Sequence, residues 1–349
     1  MDNAKRFKPF SRIIGQEKAV GFLKQVMAGG KIPHSYLFTG ISGVGKTTTA
    51  VAFTQAINCH EPVNGEGCGQ CRSCRQIISE NFTDLIHIEP DGQNIKIGQV
   101  RDLNRSLSFK PVSGMYRVCI IHHAEMMNDE AANSFLKTLE EPPPGNILVL
   151  KVVEPLDLLP TIVSRCQQIP FRPLPSHAIA EWLVTEMDID KEKAAKSARI
   201  SEGSLGKAID ICNTDFLRER EDAILRLIQL PDLTLDKVLE MAVEYTGKNK
   251  KGVDVSGRRD AGLSELLGIW KTWYRDLILV KIKGPADLLI NADFSIKLKN
   301  LSKRFKTENL IDSFLLVDQA QRDLTRNPNL GLMMENTVLA LKKLSSPSL

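Results

Sequence analysis

The octapeptide GISGVGKT, residues 40–47, carries the clearest chemistry in this sequence. It matches the pattern GxxxxGK followed by Ser or Thr, and it stands between a short apolar run at residues 36–38 and a helical pattern. In such a loop, backbone N–H groups cradle phosphates, the lysine reaches the β and γ oxygens, and the threonine hydroxyl holds Mg²⁺. The sequence therefore predicts nucleotide binding by the loop residues Gly40, Ser42, Gly43, Val44, Gly45, Lys46, Thr47 and Thr48.

Hydrolysis at such a loop also needs carboxylates at the end of a neighbouring strand, where an Asp holds Mg²⁺. The candidate strand is residues 117–121, and His122 and His123 follow it with no carboxylate before Glu125. Because imidazole is not the hard oxygen ligand that Mg²⁺ prefers, the pattern predicts phosphate binding without hydrolysis. Adjacent residues at a strand end point in opposite directions, which disfavours a transition-metal site at the two histidines. Glu125 is interpreted as a surface residue.

Four cysteines lie close together in a polar, glycine-rich segment: Cys59, Cys68, Cys71 and Cys74. Their spacing, C-x8-C-x2-C-x2-C, is typical of a closed structural zinc site with four thiolate ligands. An iron–sulfur cluster is the alternative, although no other segment suggests electron transfer. Cys119, Cys166 and Cys212 lie in apolar surroundings and are interpreted as core residues.

The elements that must position these residues follow from short apolar runs. Such runs occur at residues 85–88, 118–121, 147–150 and 168–171, separated by helical or polar stretches. Strands that alternate with helices predict a parallel sheet covered on both faces. Asn128-Asp129 is expected to cap one helix, and Ser176 is expected to cap the first helix after the last strand.

Three domains are expected along the chain. Residues 1–174 form an α/β nucleotide-binding domain that contains the cysteine module at about residues 59–74, and residues 175–213 form a small helical domain. Residues 214–349 have only helical patterns, including amphipathic stretches at 263–280, 310–324 and 330–344.

Composition limits the class of protein. The 349 residues are 42% hydrophobic and 25% charged, which excludes a disordered or collagen-like chain. The net charge of +4 permits contact with nucleic acid but does not argue for it. No apolar run reaches the ~18 residues of a membrane span, and the first ten residues lack the apolar core of a signal peptide, so we expect a soluble cytoplasmic protein with no membrane partner.

Five segments of the chain can be compared with known families: residues 14–17 (IGQE), 34–40 (HSYLFTG), the four-cysteine insert, 136–143 (LKTLEEPP) and 164–166 (SRC). In their order and spacing, these segments resemble bacterial DNA polymerase III clamp-loader subunits of the AAA+ class. The likeness is continuous to about residue 210, and the helical remainder is similar in layout, with weaker motifs at residues 273–276 and 327–329. The resemblance implies an AAA+ fold with a zinc-binding insert, a helical lid and an all-α collar.

Departures from the ATPase pattern distinguish members of this family. His122 and His123 stand where the motor subunit has Asp-Glu. Val152 and Val153 stand where a phosphate-sensing Thr is usual. Gly206 stands where the motor subunit has an Arg as its second sensor, although Lys207 could partly substitute for that Arg. These departures, and the absence of a long extension after Leu349, favour the stationary member of the ring. The alternatives are a gamma/tau-type motor that uses Glu125, and a free-standing nucleotide-binding regulator.

The resemblance also implies roles and partners. Arg165 would act in trans as an arginine finger, reaching ATP bound to the neighbouring motor subunit. The expected partners are the gamma/tau and delta subunits in a hetero-pentamer, and the sliding clamp and primer-template DNA through that complex at the replication fork. The expected cofactors are structural Zn²⁺, with ATP or ADP and Mg²⁺ at the phosphate loop. The chain is expected to be a subunit of a polymerase holoenzyme and not an ATPase by itself.

Direct contact with DNA stays open at this point. Two basic groups could follow phosphates, but such runs are more often solvated surfaces. The groups are Lys248, Lys250, Lys251, Arg258 and Arg259, and Lys297, Lys299, Lys303, Arg304 and Lys306.

Overall fold

Five parallel strands form the sheet of the N-terminal part of the chain. The structure, a computed structural model, describes residues 9–246, 256–324 and 328–345, with side chains from 262 onward in the second range. It divides into two compact units, Met1–Asp210 and Ile211–Leu349. The strands are β1 (Ser35–Thr39), β2 (Leu85–Ile88), β3 (Arg117–Ile121), β4 (Asn146–Lys151) and β5 (Gln167–Pro170).

The strand order is β2-β3-β4-β1-β5, and every pairing is parallel. Every residue of β1 and β3 is buried. Because helices cover both faces, these strands are continuous apolar runs instead of alternating ones. The predicted parallel sheet with helices is confirmed.

The helices up to residue 213 are α1 (Glu17–Ala28), α2 (Lys46–Ile57), α3 (Arg72–Ile78), α4 (Ile97–Leu107), α5 (Asp129–Glu140), α6 (Pro160–Val163), α7 (Ser176–Met187), α8 (Lys191–Ile200) and α9 (Leu205–Asn213). Residues of α1 and α2 lie in one apolar core, and residues of α4, α5 and α6 lie in the other. Tyr36 and Phe38 of β1 point into one core with Phe53, whereas Leu37 points into the other with Phe135. This alternation is what the two-residue period of a strand requires.

The structure confirms one of the two predicted helix caps and contradicts the other. The side chain of Asn128 accepts a hydrogen bond from the Ala131 N–H at 2.9 Å, so Asn128 caps α5 as predicted. Ser176 is already the first residue of α7, and Pro175 occupies the cap position with no side-chain bond. The Ser176 prediction is therefore wrong by one residue, because the backbone carbonyl of Pro175 already accepts from Ala178 and Ile179.

A buried ion pair joins the starts of β2 and β3. The carboxylate of Asp84 lies 3.1 Å from Nη2 of Arg117, and both side chains are buried. Asp84 also accepts backbone N–H bonds from Val112, Ser113 and Gly114. The pair therefore anchors the loop that leads into β3.

The described part of the second unit is helical, as expected. Its helices are α10 (Phe216–Gln229), α11 (Leu235–Thr246), α12 (Ser256–Lys281), α13 (Ser295–Arg304), α14 (Thr307–Asp323) and α15 (Leu330–Ser345). Trp270 and Trp273 of α12 are buried at its centre. No helix of the described residues is both long and apolar enough to cross a membrane.

The structure describes the side chains of only one of the two basic groups. Lys248, Lys250 and Lys251, and the side chains of Arg258 and Arg259, lie outside the described residues, as does Asn327 of the weaker motif at residues 327–329. The second group lies on α13 and just after it, with all five side chains exposed.

Candidate functional site

The phosphate loop joins the end of β1 to the start of α2 at the carboxyl edge of the sheet. Gly40, Gly43 and Gly45 have φ angles of 131°, 72° and 107°, values that favour glycine. A Cβ on Gly43 would lie 2.3 Å from Oγ of Ser204, so this position also lacks room for a side chain. The glycine pattern of the motif therefore has a direct backbone cause.

Lys46 begins α2 and is nearly covered, with 7% of the residue exposed. Its amino group donates to the carbonyl oxygens of Gly40 and Ile41, the latter at 3.1 Å, and so lies over the loop. Burial lowers the pKa of Lys46, an effect that the charge of Glu125 opposes. The ammonium is thus held where a phosphate chain in the loop would meet it.

A cavity of about 680 Å³ opens beside this loop, a size within the range of small-molecule sites. Seven of the eight predicted binding residues line it, from Ser42 to Thr48, whereas Gly40 contributes its carbonyl group to Lys46. Apolar side chains, among them Ile13, Leu174 and Trp182, also line the cavity. The cavity thus combines a phosphate cradle with an apolar surface suited to a base.

His122, at the end of β3, stands where hydrolysis would need a carboxylate, and its ring contacts a lysine and a second histidine. Nδ1 of His122 lies 2.7 Å from Nζ of Lys151, and its Nε2 lies 2.9 Å from Nδ1 of His87. Burial, then the charge of Lys151, lowers the pKa of His122 to about 4, so the ring is neutral at neutral pH. A neutral His122 accepts from the Lys151 ammonium through Nδ1 and donates to His87 through Nε2.

Lys151 is a residue of the candidate site that the sequence interpretation missed. It is the last residue of β4, and its Nζ also donates to the hydroxyl oxygen of Thr47. Burial and the nearby charge of Lys46 lower the pKa of Lys151 to about 8. A lysine that ends an otherwise apolar strand beside the phosphate loop was the available signal.

Glu125 is not the surface residue that was expected. Its side chain is 20% exposed and lines the cavity together with Lys46 and Thr47. His123, with φ of 51°, reverses the chain into a 3-10 turn at Ala124–Met126, which returns the carboxylate to the cavity. One oxygen lies 3.3 Å from Nδ1 of His123, and the other has no hydrogen-bond partner among the described residues.

Valine and glycine occupy the two positions that the resemblance assigns to phosphate sensors. Val152 and Val153 line the cavity with apolar side chains. A Cβ on Gly206 would lie 2.9 Å from Cα of Gly43, so an arginine does not fit there without moving the loop. Lys207 lies 3.8 Å from the carboxylate of Glu202 and is not among the described residues that line the cavity.

Arg165 follows α6 and lies away from the cavity of its own chain. Its Nη2 lies 2.5 Å from Oε1 of Glu140, the last residue of α5, and its Nη1 donates to the Thr161 carbonyl at 2.9 Å. The side chain is 36% exposed. The guanidinium is therefore held in place and still accessible from outside.

The four predicted cysteine ligands come together in the structure. The sulfur atoms of Cys59, Cys68, Cys71 and Cys74 all lie within 4.8 Å of one another. Burial raises the pKa of the Cys68 thiol, but backbone N–H bonds from Cys71 and Gln70 outweigh it and lower that pKa to about 7. The cluster could therefore bind a metal ion.

The remaining cysteines are at least partly buried. Cys119 and Cys212 are buried and Cys166 is partly buried, and all seven cysteines are free thiols.

The parallel sheet and its glycine-rich loop define a P-loop α/β protein. The sequence model of the family described as "DNA polymerase III, delta subunit" matches residues 15–175. DNA polymerase III subunit delta' of Bacillus subtilis is 30% identical over 336 residues, which cover 94% of this chain and 96% of that protein. The chain therefore belongs to the family of DNA polymerase III delta-prime and tau/gamma subunits. The resemblance drawn from the motifs is confirmed.

Other relatives and one solved structure complete the comparison. The tau/gamma subunit of Haemophilus influenzae is 28% identical over 349 residues, and the match spans 96% of this chain but 49% of that protein. The tau subunit of Bacillus subtilis is 29% identical, with 98% and 63% covered. A DNA polymerase III gamma subunit-related protein from Thermotoga maritima superposes with a TM-score of 0.49 at 18% identity, over 93% of this chain and 99% of that chain.

Proposed function

We propose that this chain is a delta-prime-type subunit of the bacterial DNA polymerase III clamp loader, which places the sliding clamp on primed DNA. In this role it binds nucleotide phosphates but does not hydrolyse ATP. The observation that carries the proposal is the replacement of the magnesium-binding carboxylate by His122, which accepts a hydrogen bond from Lys151. The match to a delta-prime subunit over 94% of this chain and 96% of the relative supports it further.

The chain is proposed to assist ATP hydrolysis in a neighbouring gamma/tau subunit through the side chain of Arg165. A guanidinium supplied in trans stabilises transition-state charge and can be worth ~10³ or more in rate. The exposed, ion-paired position of Arg165 supports this role, because the side chain is oriented yet accessible.

The helical second unit is proposed to bind the delta and gamma/tau subunits in a hetero-pentamer. Through that complex, the chain is proposed to act on the sliding clamp and primer-template DNA.

ATP turnover by the purified chain with Mg²⁺ tests the absence of hydrolysis. The control is Lys46→Ala, which removes the phosphate-binding ammonium and reports contaminating ATPases. We expect turnover no higher than that of this control.

One observation favours the motor alternative. Glu125 lines the cavity with Lys46 and Thr47, and one of its oxygens has no hydrogen-bond partner among the described residues. If Glu125 positions the attacking water, the purified chain hydrolyses ATP, and Glu125→Gln abolishes that turnover. The stationary proposal predicts no turnover for Glu125→Gln to remove.

The cysteine cluster is proposed to hold a structural zinc ion. Four sulfurs around one ion at Zn–S distances of about 2.3 Å are about 3.8 Å apart, and the sulfurs of Cys59 and Cys71 lie 3.9 Å apart. The backbone N–H bonds to Cys59 and Cys68 suit thiolate ligands, which accept such bonds. With all four ligands from protein, the ion has no open position for catalysis.

A further inference from the structure

Lys151 lies between the two positions that hold Mg²⁺ in P-loop enzymes. In those enzymes the ion is bound by the hydroxyl of the P-loop Ser or Thr and by an Asp at the end of a neighbouring strand. Here those positions are Thr47 and His122, and Nζ of Lys151 donates to both, at 2.7 Å to His122. An ammonium group of the chain itself therefore stands where the two magnesium ligands would meet.

The sheet order produces this arrangement. β4 lies between β3 and β1, so the last residue of β4 ends beside both the residue after β3 and the start of the phosphate loop. Lys151 is paired in register with Phe38 of β1, and Leu150 with Ile121 of β3. The position of the ammonium is thus set by three adjacent strands and does not depend on a surface loop.

We propose that the cavity binds a metal-free nucleoside di- or triphosphate, with Lys151 supplying the positive charge that Mg²⁺ supplies in hydrolytic P-loop enzymes. The proposal rests on the nucleotide binding that the proposed function includes, and it names the form of the ligand. It does not depend on Arg165 or on assembly with other subunits.

The charges around Lys151 support a polyanionic ligand. The charge of Lys46 lowers the pKa of Lys151, and the carboxylates of Glu89 and Glu125 oppose that effect. Phosphate oxygens between the two ammonium groups would relieve their repulsion and accept charge-assisted hydrogen bonds from both. A divalent cation in the same place would instead add to the repulsion, because Lys151 already donates to both Thr47 and His122.

His122 itself is unsuited to Mg²⁺. Its two ring nitrogens are engaged, one with Lys151 and the other with His87. A hard cation prefers oxygen, and His122 offers none. The apolar lining residues Ile13, Leu174 and Trp182 favour a ligand with a base over an inorganic phosphate chain.

Calorimetric titration of the full chain with ATP and ADP, in EDTA and in Mg²⁺, tests the proposal. We expect affinity in EDTA to equal or exceed that in Mg²⁺, and inorganic tripolyphosphate to bind at least about tenfold more weakly than ATP. Lys151→Met should weaken binding in EDTA by about tenfold or more, because a charge-assisted bond is lost. Lys196→Met, which removes a charge on α8, is the matched control and should bind as the wild type does.

A double variant tests the opposite case. The variant His122→Asp with Lys151→Thr introduces an oxygen ligand and removes the competing ammonium, so its nucleotide binding should require Mg²⁺. Circular dichroism and thermal melting check that each variant is folded. The comparison of EDTA with Mg²⁺ on the wild type needs no variant.

Three results would overturn the proposal. They are a loss of wild-type affinity of about tenfold or more in EDTA, no nucleotide binding under either condition, and a folded Lys151→Met that binds as tightly as the wild type. The absence of any nucleotide binding would also contradict the nucleotide binding included in the proposed function. The role of the chain in the loader is tested separately, by Arg165→Ala in the assembled complex.

Discussion

Arg165 and Glu140 form an ion pair in which Nη2 lies 2.5 Å from Oε1. A second bond runs from Nη1 to the Thr161 carbonyl at 2.9 Å, so one guanidinium joins the end of α5 to α6. Because these two bonds already restrict the rotamers of Arg165 in the free chain, the side chain loses less conformational entropy when it binds a phosphate. If Arg165 is the arginine finger, Glu140 is the residue that positions its guanidinium.

Glu140→Gln should lower ATP turnover of the reconstituted loader, and by less than the loss of Arg165 itself. The amide removes the charge that holds the guanidinium but preserves the size of the side chain. We expect kcat to fall several-fold, about 1 kcal/mol, with little change in KM for ATP, as for an interaction that acts in the transition state. Glu141→Gln changes the neighbouring exposed carboxylate and serves as the control. Equal effects of the two variants would remove Glu140 from this role.

Cys71→Ser should release the metal from the cysteine cluster and destabilise the first unit, because three thiolates cannot complete a closed tetrahedral site. Elemental analysis of the purified chain measures the bound metal, and thermal melting measures the stability. Cys166→Ser, outside the cluster, should retain the full metal content. Stoichiometric metal in Cys71→Ser would contradict the four-thiolate assignment, and iron in the wild type would favour a cluster over zinc.

The Asp84–Arg117 pair predicts a pH dependence of stability. Burial alone would raise the pKa of Asp84, but N–H bonds from Ser113, Val112 and Gly114 and the Arg117 guanidinium outweigh it and lower that pKa. A carboxylate with a lowered folded-state pKa stabilises the fold above its unfolded-state pKa of about 3.9, and this stabilisation is lost as pH falls through the folded-state value. The free energy of unfolding, measured by urea denaturation, should therefore fall as pH drops below about 4.

Asp84→Asn should cost about 3 kcal/mol at neutral pH, because it leaves the buried Arg117 charge without its partner. It should also flatten the acid side of the stability profile. The control is Asp102→Asn on α4, where the carboxylate is 77% exposed. A profile for Asp84→Asn that is parallel to the wild type would show that another group causes the acid loss.

Gly43→Ala should lower the free energy of unfolding by about 2 kcal/mol or more. The new methyl group would combine a left-handed backbone, φ of 72°, with a 2.3 Å approach to Oγ of Ser204. Gly92→Ala has a similar φ of 75° and nothing within 4 Å, so it isolates the backbone contribution, about 1 kcal/mol. Equal losses in the two variants would mean that Ser204 moves aside at no cost.

Local sequence patterns were sufficient to predict many elements of this structure. The strands β1, β3 and β4 were predictable because a parallel sheet buried on both faces produces continuous apolar runs, and these three strands are almost entirely buried. The edge strands β2 and β5 are more exposed, and the signal for them was a short apolar run at residues 85–88 and at residues 168–171. The phosphate loop and the cysteine cluster were predictable because their residues lie within 8 and 16 positions of the chain, and short spacing already constrains geometry. The cap at Asn128 is equally local.

Contacts between distant residues were not predictable in the same way. Lys151 and Thr47 are 104 positions apart, and their contact depends on the order of β3, β4 and β1. Glu125 returns to the cavity only because His123 adopts a left-handed conformation, for which the sequence contains no glycine as a signal. The pairing of Asp84 with Arg117 likewise requires knowledge of which strands are neighbours.

ATP turnover by the loader reconstituted with Arg165→Ala would decide whether this chain assists hydrolysis in a neighbouring subunit. We predict a decrease of about 10² or more in DNA-stimulated turnover, with normal assembly by size-exclusion chromatography. Arg105→Ala, which alters an exposed arginine on α4, should leave turnover unchanged. Normal turnover from an Arg165→Ala complex of correct composition would contradict the role proposed for this subunit.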